Sequence, residues 1–435
     1  MSTPHKQSIL VLAHSAAIGG AELALASLME STQDQYAWHI VFADTKKAPE
    51  KLKAPADKIT YLDLPWWCYE ARGKPKKVYK KALLNSIAKL ESLARDADIL
   101  LTNTITVPWL GLVAGDIRKP HIWYVHEFGD LDHSYHFVAG YDESLALVGQ
   151  NAQRILTISK AVKEHIARII PESNIDIINQ AVNAENLTKL PVANAADPIR
   201  LLALGGIKPS KGQHIALEAS QQCQNIFLDI VGPSGDDIYV ERLHKATASA
   251  KNVSLQVRAY EVAQELVSHD VVLMCSQNEA LGRVTLEALA AGKLVIGYAC
   301  TATKELLADG RGVIYTPNTP EALASALKNA IHNFVIDIEK NRRYVTETYG
   351  PKKQAADFHS CVAKALASPT CVKPVSVEAY LSILEAQTLF IGLAAHIKQQ
   401  SRRLAVESVP CRVRKSVKKF LKAIKTSCYV PSIEN

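Results

Sequence analysis

Short apolar runs alternate with amphipathic segments along most of the chain. Runs rich in Ile, Val and Leu occupy residues 8–13, 38–43, 99–103, 121–126 and 154–159. Segments 20–30 and 160–169 instead repeat apolar residues at helical spacing. Buried parallel strands are continuous apolar runs, and helices connect them. The pattern predicts an α/β fold with a parallel sheet in the first part of the chain.

A second series of the same kind follows further along the chain. Its apolar runs occupy residues 199–204, 226–231, 253–257, 271–275, 294–298 and 313–315. We therefore predict two doubly wound parallel-sheet domains, residues 1–185 and 186–365, with the last helix crossing back to the first domain. Residues 183–198 form the linker, since Pro, Ala and Asn are frequent there. Ligands bind beyond the carboxyl ends of such strands, so two facing sheets predict a cleft site.

One long segment of the first domain departs from this alternation. Residues 44–80 contain several Pro and Lys residues and the adjacent Trp66 and Trp67. We expect this segment to form loops near the cleft.

The charge of the chain is concentrated near its end. The formal net charge is +7, yet residues 398–425 alone hold ten Lys or Arg against the single Glu407. The body is therefore slightly acidic, and no nucleic-acid partner is expected. Residues 366–435 are predicted to form a helical basic tail. Its residues 411–427 have the spacing of an amphipathic helix, which suits an anionic membrane surface or packing on the body.

The cysteines and the apolar segments bear on the compartment. The eight cysteines show neither C-x-x-C spacing nor the density of a disulfide scaffold, which predicts free thiols in a reducing compartment. The apolar run 9–13 is too short for a signal peptide, and polar residues interrupt 381–397. We expect a cytoplasmic protein, peripheral on the inner face of the cell membrane through residues 398–425.

The segment 275–297 holds the most informative group of polar residues. Glu279 lies in the loop after an apolar run, and Gly282 precedes a helix that carries Glu287. The start of a helix at the carboxyl end of a strand favours a diphosphate. Carboxylates are good acceptors for sugar and ribose hydroxyls. The simpler alternative is that Glu279 is a solvated loop residue and Glu287 a surface helix residue, but their place at a strand-to-helix junction favours function.

Several stretches, taken with this segment, resemble one known family in order and spacing. They are HSAAIGGAELAL (14–25), IWYVHEF (122–128), RILTISKAVKEHI (154–166), IDIINQAVNAENL (175–187), LALGGIKPSKG (202–212) and KELLADGRGVIY (304–315). Glu279 and Glu287 match its E-x7-E signature. Across residues 8–365 the chain resembles the retaining glycosyltransferases of family 4, glycosyl transferases group 1. The resemblance implies the GT-B fold, two Rossmann-like domains facing a cleft.

The resemblance also implies roles for individual residues. Lys211 matches the lysine that neutralises the donor diphosphate, and His126 matches the histidine beside the transferred sugar. Gly19 and Gly20 match the turn that approaches the donor phosphates. The remaining donor-site candidates are Lys208, Glu279, Leu281, Gly282, Arg283 and Glu287. Taken singly, Lys211 would be a solvated charge, His126 a structural residue and the glycines a helix-initiating turn.

The chain departs from the family pattern at three places. Gly206 stands where the family usually has an arginine, and Lys208 or Arg283 are the candidates to supply that charge. Ala181 stands in place of a usual glycine, and the glycines expected after the fifth strand of the donor domain are replaced in CTATKE (300–305).

The implied activity is retaining transfer from a nucleotide-diphosphate sugar to a glycan or lipid-linked glycan, in bacterial cell-surface polysaccharide synthesis. No cofactor or metal is expected. Asp130 and Asp132 form a D-L-D sequence that we interpret as a solvated loop far from the donor motifs. Two alternatives keep the same fold: an epimerase or phosphorylase-like enzyme, and a catalytically weak or silent binding or scaffold protein, for which Gly206 is the motivating residue.

Overall fold

The computed structural model describes residues 6–17, 19–70, 80–182, 184–190, 198–368 and 374–385. The chain divides into two compact units, Met1–Val377 and Glu378–Asn435. In the second unit residues 378–385 are helical. The predicted amphipathic helix (411–427) and the basic segment 398–425 lie outside the described residues, as does the predicted linker between 191 and 197. The architecture below is that of the first unit.

Seven parallel strands form the first sheet. Together with β4 and β7, which lie outside that sheet, the strands of this part of the chain are β1 (Gln7–Ala13), β2 (Tyr36–Phe42), β3 (Lys58–Tyr61), β4 (Cys68–Glu70), β5 (Ile99–Asn103), β6 (His121–Val125), β7 (Tyr135–Phe137), β8 (Arg154–Thr157) and β9 (Ile175–Ile177). Its helices are α1 (Gly20–Thr32), α2 (Glu50–Lys53), α3 (Lys80–Asp96), α4 (Trp109–Ile117), α5 (Tyr141–Gln150) and α6 (Lys160–Ile166). The sheet order is β3-β2-β1-β5-β6-β8-β9, and β4 pairs with β7 in a separate antiparallel ribbon.

Six parallel strands form the second sheet. They are β10 (Ile199–Leu204), β11 (Ile226–Gly232), β12 (Val253–Val257), β13 (Val271–Met274), β14 (Leu294–Tyr298) and β15 (Val313–Tyr315), in the order β12-β11-β10-β13-β14-β15. The helices are α7 (Gln213–Ser220), α8 (Asp237–Thr247), α9 (Val262–Val267), α10 (Arg283–Ala290), α11 (Thr301–Leu306), α12 (Pro320–Asn333), α13 (Ile338–Tyr349) and α14 (Pro351–Ala367).

The predicted fold class is confirmed. In each sheet the first strand of the series lies inside, with later strands added on both sides. This arrangement creates a topological switch point beside β1 and another beside β10. The central strands are almost completely buried because helices cover both faces, which explains their continuous apolar sequences.

The prediction of loops over residues 44–80 is wrong for much of that segment. Residues 50–53 form α2, residues 58–61 add β3 to the edge of the first sheet, and residues 68–70 form β4. β3 is half-buried and short, so its sequence KITY lacks the apolar run that identified the central strands. Residues 71–79 lie outside the described part of the chain.

Helix α14 follows the second sheet in sequence and packs on the first. The Phe358 ring stacks on Trp38 of β2 with 5.7 Å between ring centroids, and the Tyr36 hydroxyl lies 2.9 Å from His359 Nδ1. Lys364 forms an ion pair of 2.8 Å with Asp176 of β9. These contacts tie the two sheets together within the first unit. No helix among the described residues has the length and apolar character needed to cross a bilayer.

Candidate active site

A cavity of about 440 Å³ lies where the carboxyl ends of the two sheets face each other. Residues that follow β1, β5 and β6 line one wall, and residues that follow β10 and β13 line the other. Central parallel strands end at one edge of their sheet, so residues distant in sequence meet there. In the following, the two sides are called the first wall and the second wall.

Lys211 and Glu279 meet on the second wall. Lys211 Nζ lies 2.8 Å from Glu279 Oε2 and 3.1 Å from Oε1. A short 3-10 helix, Pro209–Lys211, carries the lysine and ends at Gly212 with φ +68°. A Cβ atom at Gly212 would lie 2.3 Å from the Cys275 carbonyl oxygen. Glycine is therefore required where the lysine loop passes the end of β13.

Both members of this pair are held in their charged forms. Burial disfavours the Lys211 ammonium, but the adjacent Glu279 carboxylate outweighs it and raises the pKa of Lys211. Burial acts likewise against the Glu279 carboxylate, and Lys211 reverses that effect and lowers the pKa of Glu279. The second wall thus presents a lysine that stays protonated and a carboxylate that stays ionised.

The first turn of α10 opens onto the same wall. Gly282 is the N-cap with φ +83°, a left-handed conformation that favours glycine. Leu281, Gly282 and Arg283 all line the cavity. The unpaired backbone N–H groups and positive dipole end of a helix start favour an anion there.

Arg283 also contacts the segment that follows β9, and it lies next to Glu287. Arg283 Nη1 donates to the Ala181 carbonyl oxygen over 3.2 Å, and Nη2 lies 3.5 Å from Glu287 Oε1. Glu287 is not among the residues that line the cavity. Burial raises its pKa, with Arg283 acting in the opposite direction.

The glycines and Lys208 complete the predicted donor positions. Gly19 is the N-cap of α1, and Gly20 begins that helix on the first wall. Cβ atoms at Gly20 and Gly206 would meet no other atom within 4 Å, so both positions leave open space. Lys208 lines the second wall beside Gly206.

His126 is buried on the first wall with both ring nitrogens engaged. Gln180 Nε2 donates to its Nδ1 over 2.8 Å, so Nε2 carries the hydrogen that is donated to Asn103 Oδ1 at 2.8 Å. Burial lowers the pKa of His126 to about 3. The imidazole is therefore neutral and fixed in orientation at physiological pH.

Three residues of the first wall had no place in the sequence-based prediction. His14 Nδ1 lies 2.8 Å from Glu22 Oε1. Glu127, next to His126, accepts backbone N–H groups of Ile105 and His126, each over 3.0 Å. Burial raises the pKa of Glu127 to about 7. His14 is the first residue after β1 and Glu127 the second after β6, and this position after a strand is the signal that could have identified them.

The interpretation of the D-L-D sequence was wrong. Asp132 is mostly buried, lines the cavity, and accepts the backbone N–H groups of Phe128 at 3.1 Å and Gly129 at 2.8 Å. Asn278, next to Glu279, donates to the Leu131 carbonyl oxygen over 3.3 Å. The loop after β6 folds back towards the second wall, which no local pattern shows. Within the described residues, no group of His, Cys, Asp and Glu is arranged to hold a metal ion.

Two family profiles match the chain. The profile described as Glycosyltransferase Family 4 matches residues 18–186, and the profile Glycosyl transferases group 1 matches residues 189–350. Together they take in most of both sheets. The chain therefore belongs to family 4 of the glycosyltransferases, glycosyl transferases group 1.

Individual relatives are distant. The D-inositol 3-phosphate glycosyltransferase of Corynebacterium urealyticum is 24% identical over 274 residues, which make up 59% of this chain and 61% of that protein. The chain thus matches less than two thirds of this relative's length.

Solved structures show the same fold. The structure of Anabaena HepE in complex with UDP and glucose superposes with a TM-score of 0.68 at 20% identity, covering 82% of this chain and all of HepE. Sucrose-phosphate synthase from Thermosynechococcus elongatus gives a TM-score of 0.65 at 17% identity, covering 83% of this chain and all of that structure. Both neighbours have two Rossmann-like domains of the GT-B type, the arrangement seen here.

Proposed function

We propose that this protein transfers a sugar, with retention of configuration, from a nucleotide-diphosphate sugar to a glycan or lipid-linked glycan. The observation that carries the proposal is the charge distribution of the cavity. The second wall holds three cations, Lys208, Lys211 and Arg283, against the one carboxylate of Glu279, beside the start of α10, whereas the acidic Glu22, Glu127 and Asp132 lie on the first wall. A diphosphate fits the second wall, and a hydroxyl-rich acceptor fits the first.

The second wall stabilises the leaving group. Negative charge collects on the nucleoside diphosphate as its bond to the sugar breaks. Lys211 stays protonated, and the helix start adds backbone N–H donors that need no reorganisation. Glu279, ionised and next to Lys211, accepts hydrogen bonds from hydroxyls of the transferred sugar.

The acceptor proton goes to the donor phosphate in this proposal. Attack comes from the face that the diphosphate leaves, so a phosphate oxygen lies near the attacking hydroxyl. His126 supports the proposal because both its ring nitrogens are occupied and its pKa is about 3, properties unsuited to a general base. Its role is to border the transferred sugar with a ring that Asn103 and Gln180 hold in a fixed orientation.

The acceptor and the location follow from charge. Curated relatives are D-inositol 3-phosphate glycosyltransferases, but a phosphate monoester would meet three acidic side chains and no Lys or Arg on the first wall of this cavity. An uncharged glycan acceptor avoids that repulsion. The basic segment 398–425 would hold the protein at the inner membrane surface, where lipid-linked glycans and cell-surface polysaccharide synthesis are found.

The silent-protein alternative rests on Gly206. Lys208 and Arg283 line the same wall, and we propose that these cations compensate for the missing arginine. The epimerase alternative acts on the donor alone, and the carboxylate-lined first wall favours a second substrate.

Incubation of the full chain with nucleotide sugars and a mixture of glycan acceptors tests the function. We expect transfer with an unchanged anomeric configuration, read by NMR, and equal rates with and without EDTA because Lys211 and the helix start meet the leaving group. An inverted product would refute retention. Loss of activity in EDTA that magnesium restores would refute metal independence. Nucleotide binding without transfer to any acceptor would favour the silent protein.

A further inference from the structure

Trp66 is the exposed member of the pair Trp66–Trp67 and lies beside residues that line the cavity. The chain has five tryptophans, of which four are at most 2% exposed and Trp66 is 38% exposed. Trp67 points inward, where its ring stacks on Trp123 with 5.9 Å between centroids. A single exposed apolar side chain is ordinary on a protein surface, so a role for Trp66 depends on what surrounds it.

The position of Trp66 is fixed by neighbours that line the cavity. Its indole N–H donates to the His14 carbonyl oxygen over 3.0 Å, and its ring centroid lies 5.1 Å from that of His14. Tyr135 of β7 lies edge-on at 6.2 Å, and His133 stacks on Tyr135 at 4.9 Å with 10° between ring planes. We call these four residues the aromatic rim. His14, His133 and Tyr135 line the cavity, so the rim continues its first wall outward.

This rim has the chemistry of a saccharide subsite. Because the indole N–H is already bonded within the protein, Trp66 offers its ring face and not a donor. The face of an aromatic ring carries partial negative charge and attracts the C–H groups on one side of a pyranose. The hydroxyls at the pyranose edge need hydrogen-bond partners. A carboxylate has about four lone-pair sites, and Asp132 uses two of its own for backbone N–H groups. Glu127 also accepts two backbone N–H groups, and its carboxyl can accept from a hydroxyl when ionised or donate to one when protonated.

Charge determines which saccharide fits. Among the described residues of the first wall there is no Lys or Arg, whereas Asp132, Glu127 and Glu22 are present, the last of them 2.8 Å from His14. We propose that the aromatic rim binds an uncharged pyranose of the acceptor, stacked on Trp66 with its hydroxyls towards Glu127 and Asp132. This inference depends on the proposed function only in naming the saccharide as the acceptor. Saccharide binding at the rim can be measured without transfer.

Acrylamide quenching of tryptophan fluorescence in the full chain tests the rim, since the quencher reaches Trp66 and not the four buried indoles. Trp66→Phe should remove most of the quenching, which assigns the signal. Methyl glucoside, methyl galactoside and methyl mannoside are the probes, with glycerol as an open-chain control. We expect at least one methyl glycoside to protect Trp66 and glucose 6-phosphate to protect it less. No protection by any pyranoside, equal protection by glycerol, or protection by glucose 6-phosphate alone would each overturn the proposal.

Saturation-transfer NMR on variants separates the ring face from folding effects. Trp66→Phe keeps a ring and should retain binding of the protecting glycoside, whereas Trp66→Ala should lose about tenfold in affinity. Val335→Ala, which alters an exposed apolar residue outside the cavity, is the matched control and should bind like the wild type. Unchanged affinity in Trp66→Ala would overturn the proposal, as would equal losses in Trp66→Phe.

Calorimetry with UDP, GDP and ADP distinguishes this inference from the proposed function. If none of the three nucleotides binds, the proposed nucleotide-sugar site on the second wall is refuted. The quenching result alone then tests saccharide binding at the rim. Trp66→Ala should bind the nucleotide like the wild type. A parallel loss of nucleotide affinity would show that Trp66 supports the whole cavity and does not form a saccharide subsite.

Discussion

Lys211 and Glu279 are 68 positions apart in the sequence and form a two-point ion pair in the cavity. Each keeps the other charged against the effect of burial. An anionic ligand at Lys211 therefore has to share that ammonium with Glu279, so the two side chains contribute differently to binding and to turnover.

Lys211→Ala should weaken nucleoside diphosphate binding by about 1.5–3 kcal/mol, the range for hydrogen bonds to charged groups. Titration calorimetry with UDP, GDP and ADP measures the effect. The control is Lys251→Ala, an exposed lysine of the second domain that does not line the cavity. Equal affinities of Lys211→Ala and the wild type would show that Lys211 does not meet the diphosphate.

Glu279→Gln should abolish most of the turnover and leave nucleotide binding unchanged or tighter. The amide keeps the shape of the side chain but removes the negative charge that competes with a diphosphate for Lys211. Initial rates and calorimetry on the same preparation give the two readouts. Wild-type turnover in the purified variant would rule out the proposed contact with the sugar hydroxyls.

Glu127 makes folding stability depend on pH. Its folded pKa of about 7 exceeds the ordinary 4.5, so stability from the protonated carboxyl is present below pH 4.5 and is lost as pH rises through 7. Glu127→Gln cannot ionise. Relative to the wild type, it should therefore gain about 1–3 kcal/mol in free energy of unfolding between pH 5 and pH 8.

Urea denaturation at a series of pH values measures this difference. A hydrogen bond that the amide fails to make changes the free energy of unfolding equally at every pH. Only the difference in pH dependence between the variant and the wild type therefore tests the pKa of Glu127. Glu347→Gln, an exposed glutamate of α13, is the control and should follow the wild type. Parallel curves for Glu127→Gln and the wild type would mean that Glu127 has an ordinary pKa.

The proposed donor site includes the start of α10. Gly282 has φ +83°, and a Cβ there would lie 3.3 Å from Glu279 Cγ and 3.3 Å from Thr285 Oγ1. The backbone conformation that turns N–H groups towards the cavity is thus available to glycine and crowded for any larger residue.

Gly282→Ala should lose about 1–2 kcal/mol of stability from the left-handed conformation and also weaken nucleotide binding. Gly310→Ala is a matched control because Gly310 has φ +74° with no atom within 4 Å of its Cβ position. It should show the same stability loss with normal binding. Thermal melts and calorimetry compare the two, and equal nucleotide affinities would argue against a role for the α10 start.

The distribution of charge over the whole molecule leads to a prediction about its tail. Residues 398–425 hold ten basic residues against one acidic residue, while the rest of the chain is slightly acidic. Each Lys or Arg near an anionic bilayer contributes about 1 kcal/mol, over a Debye length of about 8 Å at physiological ionic strength.

The full chain should therefore co-sediment with phosphatidylserine-containing vesicles at low salt, and less so as salt increases. A chain ending at Ser408 keeps only three of the ten basic residues of this segment and should remain in the supernatant. Vesicles of neutral lipid are the control for both. Equal sedimentation of the two chains would assign the tail to packing or oligomerisation.

Most of the fold could be predicted from the sequence because strands that are buried on both faces have continuous apolar sequences. Strands such as β5 and β14 coincide with apolar runs, and Gly282 before α10 is a local turn signal. Glu279 likewise has a local signal, the strand-to-helix junction, whereas Lys211 was identified only by the family resemblance. β3 was not predicted because an edge strand buries only part of its surface and so lacks a continuous apolar sequence.

Which distant segments of the chain are in contact could be learned only from the tertiary structure. Asp132 belongs to the cavity because its loop folds back across the first wall, and the Gln180 and Asn103 side chains fix the protonation of His126. Trp66 became a rim residue because β4 pairs with β7 and brings Tyr135 beside it. A sequence pattern indicates how deeply each residue is buried. The residues that it contacts lie on distant segments of the chain, which only tertiary packing brings together.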